Sequence, residues 1–104
     1  MTTYVFYKDY IEMVDITDKH HCFFHSDEDL MFILSCLLAD FFMLTSVTSS
    51  HSSIYNRCYH FLSDIQKMLH TSITSSHHVI NLVRDILVFM PERSFKNFNF
   101  IIRV

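Results

Sequence analysis

Apolar residues recur at three- and four-residue steps through much of this chain, the period of a helix with one buried side. Between Ile54 and Leu69 they fall at Ile54, Cys58, Phe61, Leu62, Ile65, Met68 and Leu69, with Arg57, Asp64 and Lys67 opposite. The segment Ser76–Met90 repeats the pattern at Val79, Ile80, Leu82, Val83, Ile86, Leu87 and Met90, and Pro91 is placed to stop it. From Leu30 to Val47 the chain is apolar almost without a break, and a helix with no polar side belongs at the centre of a bundle or in a membrane. Ser26-Asp27-Glu28-Asp29 supplies its start: the Ser26 hydroxyl can accept from free first-turn amides, and three acids face the positive end of the dipole. Leu37, Phe61 and Ile86, one on each helix, are expected at the centre of the core.

The two ends of the chain read differently. Thr3–Asp15 fits a helix with Phe6, Tyr7, Tyr10, Ile11 and Val14 on one side. Scored as a single strand, its even positions (Tyr4, Phe6, Lys8, Tyr10, Glu12) mix apolar and charged residues, so the pattern favours a helix. Ile16–His25 is expected as a link holding one short strand. The tail, Asn97–Val104, alternates cleanly, with Phe98, Phe100, Ile102 and Val104 on one side, as a half-buried strand does. Its possible partners are His20–Phe24, the N-terminal segment, or the same strand of a second copy. The sequence therefore predicts a mainly α protein: a small bundle of three to four helices around a central all-apolar helix, plus a short C-terminal β-strand. The 104 residues, half of them apolar, suit a single domain over 1–104.

Composition narrows the chemistry. The chain has no glycine, where average usage of about 7% would supply roughly seven. Phosphate-cradling loops and the strained turn that presents a nucleophilic serine need glycine for positive φ or close approach, so these are excluded. No acid pair or nucleophile stands at a recognisable catalytic spacing, so an enzyme is not expected. The bias towards Phe and His suits a fast-evolving gene, such as one for a viral accessory protein. A net charge of −3 gives no general attraction to nucleic acid. The first fifty residues carry eight acids against Lys8 and Lys19, whereas the rest carry six bases against Asp64, Asp85 and Glu92. Such opposed halves can satisfy each other within one fold or between two copies.

Cys36 and Cys58 fall in apolar patterns and are expected as buried thiols, with Cys22 accessible. With no N-glycosylation sequon and no basic-then-apolar leader, the expected location is intracellular, in the cytoplasm or nucleus. Leu30–Val47 is just long enough to cross a bilayer, but Asp40 near its middle would cost about 3 kcal/mol, so no membrane contact is expected. If buried, that carboxylate needs a partner, and Arg57 and Arg84 are the natural ones. His20, His21, Cys22 and His25 form the densest set of metal-capable side chains, but a structural site needs four ligands and no second pair is suitably spaced. No metal or other cofactor is expected. His77 and His78 open the last helix, where they can cap free amides.

These readings predict a non-enzymatic protein-interaction or regulatory module that binds a protein partner through an apolar, aromatic surface. Tyr4, Tyr7, Tyr10, Phe95 and Phe98 are the expected contacts, since aromatic residues near chain ends make good interface anchors. A homodimer is expected through the C-terminal strand. The alternative is a small metal-binding regulatory protein using the His20–His25 run.

Overall fold

The structure is a computed structural model describing residues 2–15, 20–45, 53–69, 71, 75–90, 93–95 and 98–103. The start of the expected link Ile16–His25 (16–19), most of the Ser- and Thr-rich links expected over Thr45–Ser53 and Thr71–Ser76, and the stop at Pro91 lie outside the described residues.

The N-terminal segment is not a helix. It forms a hairpin of strands β1 (Thr2–Phe6) and β2 (Ile11–Asp15), turned at Lys8-Asp9 and closed by the Tyr7 amide donating to the Tyr10 carbonyl at 2.9 Å. The turn accounts for the discrepancy. It shifts the covered side from even positions (Tyr4, Phe6) to odd ones (Ile11, Met13), so a single strand drawn through 3–15 mixes its faces. Strand β3 (His20–Phe24) pairs antiparallel with β2. Three helices follow: α1 (Asp27–Thr45), α2 (Ser53–Met68) and α3 (Ser76–Leu87). Strand β4 (Phe98–Ile102) then returns to lie parallel to β1, giving the sheet order β3-β2-β1-β4. The protein is thus an α/β fold with a four-stranded mixed sheet and three helices, and the expected helical bundle is corrected accordingly.

The core lies between the helices and one face of the sheet. That face supplies Tyr4, Phe6, Ile11, Phe98 and Phe100, and α1 presses Leu30, Ile33, Leu34, Leu37, Leu38 and Phe41 against it. Cys58, Leu62 and Ile65 of α2 and Val79, Ile80, Val83 and Leu87 of α3 complete the cluster. Helix α1 is not buried on every side, because Phe32, Ser35 and Ala39 remain exposed along one stripe. Of the three expected core centres, Leu37 is buried, Ile86 is half-buried, and Phe61 stands 56% exposed. The apolar stripe of α2 is wider than the surface it packs on. Among the described residues no helix is long and apolar enough to cross a membrane.

Polar contacts fix the ends of the helices. The Asp29 amide donates to Ser26 Oγ at 3.2 Å and the His78 amide to Ser75 Oγ at 3.2 Å, so Ser75, rather than the histidines, caps α3. Ser76 Oγ donates to Asp27 Oδ1, tying the starts of α3 and α1 together. Asp40 meets neither expected arginine; it accepts from the Tyr4 hydroxyl at 3.1 Å. Arg84 instead donates to the Tyr7 and Lys8 carbonyls at 3.3 and 3.2 Å, and so pins the β1–β2 turn. Arg93 donates to the Leu87 and Val88 carbonyls at the end of α3, where unpaired carbonyls favour a cation.

Candidate functional site

Where α2 and α3 run side by side, the residues their contact cannot cover form a groove of about 470 Å³. One wall is Ile54 and Phe61 from α2, and the other is Ile86 and Phe89 from α3 and its end. Cys58 forms the floor, buried, with its thiol donating to the Ile86 carbonyl at 3.7 Å. Burial pushes that thiol above its ordinary value, which keeps it protonated and unreactive. Arg57 and Asp85 stand at the rim. Ile54, Phe61 and Phe89 are 53%, 56% and 69% exposed, a clustering of large apolar side chains that a monomer surface seldom carries without use. Beyond Asp85 lies a second depression of about 420 Å³, lined by Lys8, Arg84, Val88, Ile102 and Arg103, so the apolar groove opens beside three cations.

The expected contact residues are dispersed. Tyr4 and Phe98 belong to the core, 3% and 1% exposed, packed edge to face at 5.8 Å. Burial and the Asp40 carboxylate push the Tyr4 hydroxyl well above the tyrosine range. Phe95 stacks on Phe98 at 4.9 Å, partly buried against the same core. Tyr7 and Tyr10 remain accessible, stacked on each other at 4.4 Å on the face of the sheet away from the helices. There Tyr10 also stacks on His25 at 4.7 Å. Beside them Glu12 is buried, accepting from the Tyr7 hydroxyl at 3.1 Å and meeting His21 Nδ1 at 2.6 Å.

Strand geometry separates the histidine run. Alternation sends His21 to the open face with Glu12, and His20 and Cys22 to the opposite one, while His25 lies past the strand end. Among the described residues no three His, Cys, Asp or Glu side chains converge as a metal would require. Sequence reasoning missed Ile54, Phe61, Val88 and Phe89 as surface residues. The available signal was excess: the apolar stripe of α2 reaches round to Arg57, and Val88-Phe89 continue an apolar run past the last buried position of α3.

Comparison with known proteins adds no relative: no family model matches the chain, and no curated protein or solved structure matches it significantly.

Proposed function

We propose that this protein is a non-enzymatic interaction module whose α2–α3 groove receives the apolar side of an acidic, amphipathic helix of a partner protein. The observation that carries this reading is the exposure of Ile54, Phe61 and Phe89 around one cleft. A cleft of this size is on the scale that takes inserted side chains, roughly 300–1,000 Å³. The apolar residues at i, i+4 and i+7 on α2 match the spacing of a helix laid along them. Lys8, Arg84 and Arg103 beside the groove favour acids on the partner's flank. Binding rather than catalysis suits the lining, since its thiol, Cys58, is protonated and already hydrogen-bonded. Three free cysteines suit a reducing compartment such as the cytoplasm or nucleus.

Panning a displayed peptide library against the folded protein tests this. Enriched peptides should carry apolar residues at helical spacing with flanking acids. They should lose binding to a Phe61→Asp/Phe89→Asp double variant and bind Arg103→Glu more weakly. Peptides that bind the double variant as well as the wild type would overturn the proposal.

A further inference from the structure

The two edges of the sheet are not equivalent. The outer edge of β4 is occupied: the Phe100 amide donates to the Arg93 carbonyl at 3.0 Å, and the Phe95 amide to the Phe98 carbonyl at 2.8 Å. No described residue pairs with the outer edge of β3. Which of its groups are free follows from the ladder. The bond between Tyr7 and Tyr10 makes Val5 and Glu12, and then Thr3 and Val14, the hydrogen-bonded pairs of β1 and β2. Ile11, Met13 and Asp15 therefore turn to β3, where they meet Phe24, Cys22 and His20. The amides and carbonyls of His21 and Phe23 are left pointing outward. This edge has no lysine, proline or bulge, the usual devices against strand addition.

We infer that β3 pairs with β3 of a second copy of this chain, antiparallel about a two-fold axis at Cys22, to form a continuous eight-stranded sheet. The register is dictated by which groups are free. With Cys22 opposite its own symmetry mate, all five residues of β3 overlap. His21 then exchanges amide and carbonyl bonds with the other copy's Phe23, and Phe23 with its His21, using every free group of the strand. The side chains agree with this register, since exposed Phe23 meets the imidazole of the other copy's His21 on the open face, an apolar ring beside a polar one. The two-fold contact uses the β3 edge of both copies, and Arg93 and Phe95 already take the Phe100 amide and Phe98 carbonyl on the β4 edge, so the assembly closes at two copies and does not extend into a fibre. Dimerisation by this route replaces the C-terminal strand as the contact, since β4 is paired with β1 inside the chain. It is independent of the α2–α3 groove.

Cys22 reports on the arrangement. It is exposed, and on the axis it occupies a non-hydrogen-bonded pair, whose Cα atoms lie about 4.5 Å apart, within disulfide range. Diamide should therefore join two copies by one disulfide, oxidising two thiols while the reagent takes up two hydrogens to become the hydrazide. Sedimentation equilibrium of the reduced protein should show a dimer. Phe23→Pro removes two interchain hydrogen bonds per dimer without touching the bonds to β2, and should raise the dissociation constant about tenfold or more. The same variant should crosslink poorly although it keeps Cys22, and Cys22→Ser should sediment as a dimer yet never crosslink. Phe89→Asp, in the groove, should dimerise normally. Circular dichroism checks that each variant is folded, and Phe23→Lys serves as the second edge variant if Phe23→Pro is not. A wild-type monomer at micromolar concentration, or a folded edge variant that dimerises as tightly as the wild type, would overturn the inference.

Discussion

Helices α1 and α2 are both rich in apolar residues, yet α1 is held from two sides and α2 from one. The sheet and the other helices cover α1 on all but the stripe of Phe32, Ser35 and Ala39, burying Leu30, Ile33, Leu34, Leu37, Leu38 and Phe41. Helix α2 buries Cys58, Leu62 and Ile65, and leaves Ile54 and Phe61 in water. Periodicity tells which residues share a side of a helix, but it does not tell how wide a surface the neighbour offers. Where the stripe exceeds that surface, the surplus is free for binding. The same side-chain chemistry thus serves stability on α1 and, in our reading, recognition on α2.

The largest contrast is expected in truncation. Leu37→Ala on α1 should cost about 2–5 kcal/mol, because the atoms around it cannot collapse into the space left. A loss below about 1 kcal/mol in chemical denaturation would mean that α1 is not the enclosed helix.

Next comes the link between α1 and the sheet. Tyr4→Phe removes the hydrogen bond to Asp40 and should cost about 1–2 kcal/mol at neutral pH. Its pH signature has a definite sign. The Tyr4 hydroxyl is raised in the folded state, chiefly by burial and then by Asp40, from an ordinary value of 10.0. The unfolded chain therefore ionises first, so stability is fully present below pH 10 and falls as pH rises beyond it. Part of that alkaline slope should vanish in Tyr4→Phe, and an unchanged slope would show that the Tyr4 hydroxyl is not held as described.

The effect of Phe61→Ala should be smaller still, within about 1 kcal/mol of wild type, despite the larger side chain removed. A loss as large as that of Leu37→Ala would place Phe61 in the core and close the groove. The thiols sharpen the comparison at no energetic cost. Cys22 should react fastest with a thiol reagent. Cys36, half-buried on α1, should follow, with burial and then Asp40 raising its thiol. Cys58 on α2 should be slowest, because the groove floor is better sealed than the flank of the enclosed helix.

Legibility in the sequence followed the same division. The three helices could be read from their period, and the start of α1 from Ser26, because caps and periodicity are local. The tail strand was legible from its alternation, and the N-terminal segment was among the partners it could take. The hairpin was not legible. Lys8-Asp9 carries none of the usual glycine or asparagine turn signals, and the change of parity across it imitates helical spacing over Thr3–Asp15. The partner of Asp40 was misread because Tyr4 was placed on a surface helix rather than inside the sheet. The groove was hidden for a different reason: exposure depends on the width of neighbouring elements, which no single segment encodes.

The parallel pairing of β1 with β4 has a consequence for how the chain is made. Thr2 lies opposite Phe98, so β1 leaves the ribosome well before the strand that pairs with it. At about 5–20 residues per second, that wait is on the order of ten seconds. During it, the inner edge of β1 and the aromatic side of the hairpin have no covering strand, and closing so long a loop costs more chain entropy than the local pairing of β1 with β2. The meander of β1, β2 and β3 can form early, whereas the sheet is complete only after all three helices have been synthesised. The nascent protein is therefore most prone to aggregate late in its synthesis, after the apolar α1 has emerged and before β4 arrives to cover β1.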